Sequence, residues 1–407
     1  MNRKKETVLT EVIVSVGYLL RHRGGINIKN LPWIKDIELD RLGWGKRIVY
    51  LDNKVPALIQ DAFNNLGYEQ KDGQKPVICA KRKTEYGWHL VWQLPPGISF
   101  AKVRSDKDAL QDSCNSWIEL LWRSGKCHMD VYHGTLDDEV SYTWTHEDYP
   151  KMDLPLPIGI SQKGLEVLDL PKAPHVLVGG VTNYGKSNIL HTWANALLRS
   201  GAIVCIIDHK RLDFGYLQNL CVLARREAET LVLLEALNTE MEKRIDRLEV
   251  AGVVKIQQYQ GDDMPYIVLI IDELAEANSK DAMYYIDRLV RLARAVGISV
   301  IAATQRPSVQ VIPGDTRANF AARMCFQAAD ETSSRVILGE TCSAAAWLPA
   351  IPGRAIYKYG LKEREVQAMY LPHEKAKELA SQIKLERRWE VNVKPTNKPK
   401  TKRLPPR

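Results

Sequence analysis

Two rhythms of apolar residues alternate through the second half of the chain. Unbroken apolar runs at His175–Val178, Ala202–Ile207, Tyr266–Ile271 and Ile298–Ala303 predict strands buried on both faces. Between them the period lengthens to three and four. Ile189, Leu190, Trp193, Ala194 and Leu197 share one side of a helix over 189–198. Leu234, Leu237, Met241, Ile245 and Leu248 do so over 229–250, and Ala282, Ile286, Leu289, Val290 and Ala293 over 281–296. Strands alternating with helices, with the strands wholly apolar, predict an α/β fold with a mostly parallel sheet covered on both faces. Upstream, Val77–Cys79 and Trp88–Trp92, ending at Pro95-Pro-Gly97, read as a hairpin. A helix over Asp106–Leu121 and a strand near His128–Tyr132 follow, which together predict a smaller α+β domain. The proline-rich stretches Pro150–Pro157 and Pro171–Pro174 mark a boundary. The expected organisation is a segment of unassigned role at 1–60, a small α+β domain at 61–150, the α/β domain at 151–375, and a helical end with a tail at 376–407.

Composition narrows the class without naming an activity. A chain of 407 residues, 45% hydrophobic and 26% charged, has the make-up of a soluble protein of two or three domains. Seven scattered cysteines with no Cys-x-x-Cys pair suit a reducing compartment rather than a disulfide framework. Cys127, His128, His133 and His146 match no zinc spacing and read as ordinary surface or core residues. The apolar stretch Val8–Leu20 is interrupted by Glu11 and falls short of a bilayer span; a cytoplasmic protein is expected. Of the net charge of +8, six positive charges fall between Lys394 and Arg407, among four prolines and no acidic residue. That composition predicts a disordered basic tail. It would touch nucleic-acid phosphate or an acidic partner, or serve only as a solubilising end.

The chemistry concentrates at the ends of the apolar runs, where open α/β sheets place their sites. After His175–Val178 comes Gly180-x4-Gly185-Lys186-Ser187, a phosphate-cradling loop between a strand and a helix. Its glycines let backbone N–H groups converge, and the helix that follows offers its positive end. Gly180, Val181, Thr182, Asn183, Tyr184, Gly185, Lys186, Ser187 and Asn188 are the candidate nucleotide-binding set. Lys186 would reach the β- and γ-phosphates of ATP and Ser187 would hold Mg²⁺. Asp272-Glu273 closes a later strand; Asp272 would hold the hydrated Mg²⁺ and Glu273 would polarise the attacking water. An acidic pair there also suits a helix N-terminus. Gln305, at the tip of the next strand, would sense the γ-phosphate or orient water, or simply be a polar turn residue.

Taken in order, six segments resemble the FtsK/SpoIIIE family of DNA translocases. They are the phosphate loop, Ile207-Asp-His-Lys-Arg211, Ile271-Asp-Glu-Leu-Ala275, Ala293-Arg-Ala-Val-Gly-Ile298, Ala303-Thr-Gln-Arg-Pro-Ser308 and Ser334-Arg-Val-Ile-Leu338. Met241-Glu-Lys-Arg244 falls between them in its matching place. The resemblance spans about residues 165–372, and Tyr86–Gly97 is similar to the domain that precedes the motor in members carried by conjugative plasmids and integrative elements. It implies a RecA-like P-loop ATPase domain that assembles as a ring, a hexamer, and pumps double-stranded DNA. It also implies an arginine acting on the neighbouring subunit's site, with Arg323 the first candidate and Arg335 the second. The membrane segments and C-terminal winged helix of many members have no counterpart here, which favours a mobile-element role with relaxase or secretion-channel partners over chromosome segregation. A single-strand replication or packaging helicase and a nucleotide-gated assembly protein are the competing readings. A GTPase is disfavoured, since no Asn-Lys-x-Asp follows the sheet.

Overall fold

The structure, a computed structural model, describes residues 45–70, 72–84, 87–132, 136–143, 151–360, 362–385, 389, 391 and 393. The basic tail from Lys394, most of the 1–60 segment, His133 and His146 lie outside the described residues. The chain divides into two compact units between residues 134 and 135, upstream of the expected boundary at 150/151.

The first unit is α+β. Helix α1 (Gly45–Asn65) precedes a hairpin of β1 (Val77–Thr84) and β2 (Gly87–Gln93), then α2 (Phe100–Ser105), α3 (Lys107–Cys114), β3 (Trp117–Arg123) and β4 (Lys126–Tyr132). The strands form one antiparallel sheet in the order β1-β2-β4-β3. Helix α1 runs through the expected break at residue 60, and its Val55, Ile59 and Phe63 are buried with Trp92 of β2. The helix expected over 106–121 stops at Cys114, where Asn115 takes a left-handed conformation with φ 47°. Residues Trp117–Arg123 pair with β4 instead. Trp117, Ile118, Leu120, Leu121 and Trp122 satisfy a helical period as well as a strand, and cross-strand pairing decides the matter.

The second unit carries the phosphate loop. In order it holds β5 (Val140–Ser141), β6 (Pro155–Ser161), β7 (Gly164–Asp169), β8 (His175–Gly179), α4 (Lys186–Arg199), β9 (Ile203–Ile207), β10 (Val222–Ala224) and α5 (Glu227–Val250). There follow β11 (Ile267–Ile271), α6 (Lys280–Leu292), β12 (Ile298–Thr304), α7 (Gly314–Ala318), β13 (Ala322–Phe326), α8 (Glu331–Leu338), β14 (Arg354–Tyr359), β15 (Lys362–Gln367), β16 (Met369–Tyr370) and α9 (His373–Ser381). Ten strands make one sheet in the order β10-β9-β11-β12-β8-β13-β14-β15-β6-β7. From β10 to β13 neighbours run parallel; from β13 to β7 they run antiparallel. The sheet is therefore mixed, its five parallel pairings outnumbering the four antiparallel ones, as the mostly parallel expectation allows. Pro155 and Pro157, boundary signals by composition, lie inside β6. They are tolerated because β6 meets β15 only at Ile160 and Ser161 and is bulged between Pro157 and Gly159, so no ladder bond is lost at either proline.

Every residue of β8, β11 and β12 is buried, as continuous apolar strands require. The five expected core residues of α4 are all fully buried. That helix is enclosed nearly all round, with Trp193 Nε1 donating to Pro157 O at 2.8 Å. No helix among the described residues is long and apolar enough to cross a membrane.

Two buried histidines flank the loop. His175 opens β8, and burial, with a smaller push from Arg294, lowers its pKa to about 3. His191 on α4 packs against Phe214 with ring centroids 4.5 Å apart; burial, then His373, lowers its pKa to about 4. Both are neutral in the fold, whereas an exposed histidine titrates near ~6.5. Below that pH the unfolded chain binds more protons than the folded one. Stability from these groups is therefore full above about pH 6.5 and falls by ~1.4 kcal/mol per pH unit for each histidine as pH drops toward 4. Thermal melts from pH 8 to 4.5 should show a plateau and then this decline. His191→Asn, which keeps a polar group beside Tyr216, should remove about half of the slope.

Candidate nucleotide-binding site

The loop between β8 and α4 is shaped by close approach. Gly180 (φ 136°) and Gly185 (φ 111°) take backbone conformations that L side chains avoid. A Cβ at Gly180 would stand 2.8 Å from Phe326 Cβ, and one at Gly185 would stand 3.2 Å from Gly353 N. Asn183, φ 68°, makes the remaining left-handed turn. The loop is stitched to the neighbouring strands: Val181 N–H donates to Gln327 O at 2.9 Å, and Gly353 N–H to Tyr184 O at 3.0 Å. Asn188 clasps the backbone of Leu371, its Nδ2 donating to Leu371 O at 2.7 Å and its Oδ1 accepting from Leu371 N at 3.2 Å. Tyr184 packs against the core of the unit.

A cleft of about 500 Å³ opens over this loop, large enough for a nucleotide. Thr182, Asn183, Gly185, Lys186, Ser187, Asn188 and Gln305 line it, with Asp138, Glu139, Pro352, Gly353, Gln367, Ala368, Met369 and Tyr370. Lys186 is 6% exposed. Its ammonium folds back on the loop, donating to Gly180 O at 2.7 Å and Val181 O at 3.1 Å. Burial lowers its pKa to about 8, against the pull of Glu273.

The acidic pair sits at the end of β11, separated from β8 by β12. Glu273 is buried and held by three donors. Thr304 Oγ1 reaches its Oε1 at 2.8 Å, Gln305 N–H its Oε2 at 2.9 Å, and Ala275 N–H its Oε1 at 3.3 Å. The Gln305 side chain turns the other way and accepts from Thr182 Oγ1 at 2.8 Å. A continuous polar path thus runs from the phosphate loop through Gln305 to Glu273. Asp272 is 3% exposed. Burial raises its pKa, opposed by Lys210, whose Nζ lies 3.2 Å from Oδ2. That contact is an ion pair without hydrogen-bond alignment, because Oδ2 has no hydrogen-bond partner. For Lys210 burial lowers the pKa, but the carboxylates of Asp272 and Glu273 outweigh it and the net direction is upward.

The two arginines lie differently. Arg323 on β13 donates from Nε, Nη1 and Nη2 to the carbonyls of Phe320, Ile337 and Arg317 at 3.2, 3.2 and 3.1 Å. All three nitrogens are committed within its own chain. Arg335 stands on α8, its side chain 42% exposed and paired with Glu331. Lys210 and Thr304 lie in segments 207–211 and 303–308, where no local pattern sets them apart as functional. Nothing in the local pattern marks Asp138 or Glu139.

A glycine-shaped loop between a buried strand and a helix, with an acidic pair ending the next strand but one, defines a P-loop ATPase domain. Residues 136–264 match the FtsK/SpoIIIE family. The match takes in the phosphate loop and Lys210 and ends before Asp272. DNA translocase FtsK of Campylobacter jejuni strain 81-176 is 35% identical over 190 residues, 42% of this chain and 20% of that protein. DNA translocase FtsK of Brucella melitensis is 35% identical over 238 residues, 47% of this chain and 29% of that one. The chain thus spans less than a third of the length of these relatives. Among solved structures, the pCW3 conjugation coupling protein TcpA, in its monomer form with ATPγS, is 25% identical with a TM-score of 0.57. The likeness covers 81% of this chain and 99% of that one. EssC from Geobacillus thermodenitrificans shares the fold, with a TM-score of 0.54 at 17% identity over 62% of this chain and 52% of that one.

Proposed function

We propose that this protein is an ATP-driven translocase of double-stranded DNA, working as a ring-shaped hexameric motor that transfers the DNA of a conjugative element. The observation that carries the reading is the likeness to a conjugation coupling protein over 99% of its solved chain, on a site with the parts hydrolysis needs. Lys186 leaves its loop carbonyls for the β- and γ-phosphates. Gln305 meets the γ-phosphate in place of Thr182, and Glu273, at the end of the same polar path, takes the proton of the attacking water. The buried Oδ2 of Asp272, which lacks a hydrogen-bond partner, and the hydroxyl of Ser187 suit a hydrated Mg²⁺; such an ion supplies charge neutralisation of the phosphates. Since Arg323 is committed at home, Arg335 is the better candidate to complete a neighbour's site. The motor works in the cytoplasm, handed DNA by a relaxase or a secretion-channel protein, and the basic tail adds phosphate contacts.

ATP hydrolysis measured without DNA, with duplex and with single strands tests this reading. Stimulation several-fold by duplex and less by single strands is expected. A preference for single strands would favour the helicase reading, and indifference to both would favour a nucleotide-gated assembly protein.

A further inference from the structure

The only cation that the described contacts place on the Asp272 carboxylate is Lys210, and the backbone arranges for it to be there. Strands β9 and β11 are neighbours with Ile207 opposite Ile271, and Asp272 N–H donates to Ile207 O at 3.1 Å. The chain leaving β9 is pinned on either side of Lys210. Asp208, fully buried, accepts from Arg211 N at 2.8 Å and Phe214 N at 3.5 Å. His209 Nε2 lies 2.8 Å from Thr230 Oγ1. Arg211 turns with φ 63°. Lys210 is left to reach across to the next strand. The other lysine near the acidic pair, Lys186, spends its ammonium on loop carbonyls and does not serve Asp272.

We propose that Lys210 is a displaceable counter-ion, a lysine that occupies the Asp272 carboxylate in the metal-free state and yields it to the hydrated divalent cation that arrives with nucleotide. The inference rests on Asp272 being a metal-holding residue. A buried carboxylate with a bare oxygen needs a positive charge nearby. An ammonium at 3.2 Å supplies it, but an ammonium and a divalent ion cannot both sit against one oxygen without strong repulsion. Metal arrival therefore expels Lys210. The consequence reaches the surface, because the loop that carries Lys210 also carries exposed Arg211 and Leu212, the latter 82% exposed. Lys210 is thus a positioning residue that connects the metal state to an exposed loop.

The test uses the full chain and a fluorescent ATPγS analogue, titrated with MgCl₂ from an EDTA-treated start. In Lys210→Met the competitor is gone, so the Mg²⁺ concentration for half-maximal binding should fall about fivefold, while the metal-free protein melts at lower temperature. Lys210→Gln should show the same direction should the methionine variant fold poorly. A merely structural role would raise the Mg²⁺ requirement, and an unchanged or raised requirement overturns the proposal. Were Lys210 a phosphate ligand, Lys210→Met would weaken analogue binding in EDTA itself, which also overturns it. Asp272→Asn separates the two layers: a Mg²⁺ titration identical to the unmodified protein would sink the metal role of Asp272, and the displacement idea with it.

Discussion

Lys186→Ala is expected to abolish ATP hydrolysis, and Glu273→Gln to block turnover by about 10²–10⁴-fold while leaving ATP bound. On the proposed reading Lys186 is the point charge on the transferring phosphate, and Lys210, the other lysine at the acidic pair, cannot replace it because it is held on Asp272. Glu273→Gln keeps the shape but removes the proposed base. It has a second effect legible in the geometry. Glu273 Oε2 accepts from the Gln305 N–H and Oε1 from Thr304 and Ala275. A glutamine amide has only one acceptor oxygen, so one side must face a donor with a donor. About 1–3 kcal/mol of stability should be lost with it. Phosphate release and calorimetric ATP binding measure the two outcomes, and turnover surviving in both variants would remove these residues from the site.

The second large effect concerns the neighbouring subunit. Arg335→Ala alone should depress turnover by about 10³–10⁵-fold if its guanidinium completes the next subunit's site. Mixed with Lys186→Ala subunits, whose Arg335 is intact, it should recover part of the activity at those boundaries where an intact arginine meets an intact loop. An arginine acting within its own chain would give no recovery. Arg323→Ala should behave differently. It strips a charged donor from three carbonyls, so a loss of about 2–4 kcal/mol in unfolding free energy is expected, seen in denaturant melts before any kinetic effect.

Arg323 and Arg335 look alike in one dimension, since each is a lone arginine in a plausible segment. They part only when β13 lies beside α7 and α8 and surrounds one guanidinium with carbonyls. Asp106–Leu121 reads as one helix because Trp117, Ile118, Leu120 and Leu121 satisfy two periods at once. The positions of the antiparallel strands in the large sheet are not marked locally either. Strands β14, β15, β6 and β7 come from chain segments far apart in sequence, and no local signal says which edge they join.

What the sequence determined by itself is what neighbours along the chain decide. Apolar period set the core face of α4, whose five expected residues are all fully buried. Glycine placement set the loop before it, because only glycine takes φ 136° and 111° cheaply. Asp272-Glu273 and Gln305 were legible because a polar residue ending an apolar strand has only one end of the sheet to occupy. The tertiary structure alone decided what those residues touch. Lys210 and Asp272 are 62 positions apart in the chain and meet because β9 and β11 pair. Thr182 and Gln305 join because β8 and β12 pair. Strand pairing is chosen by burial summed over the whole sheet, a quantity no local window contains.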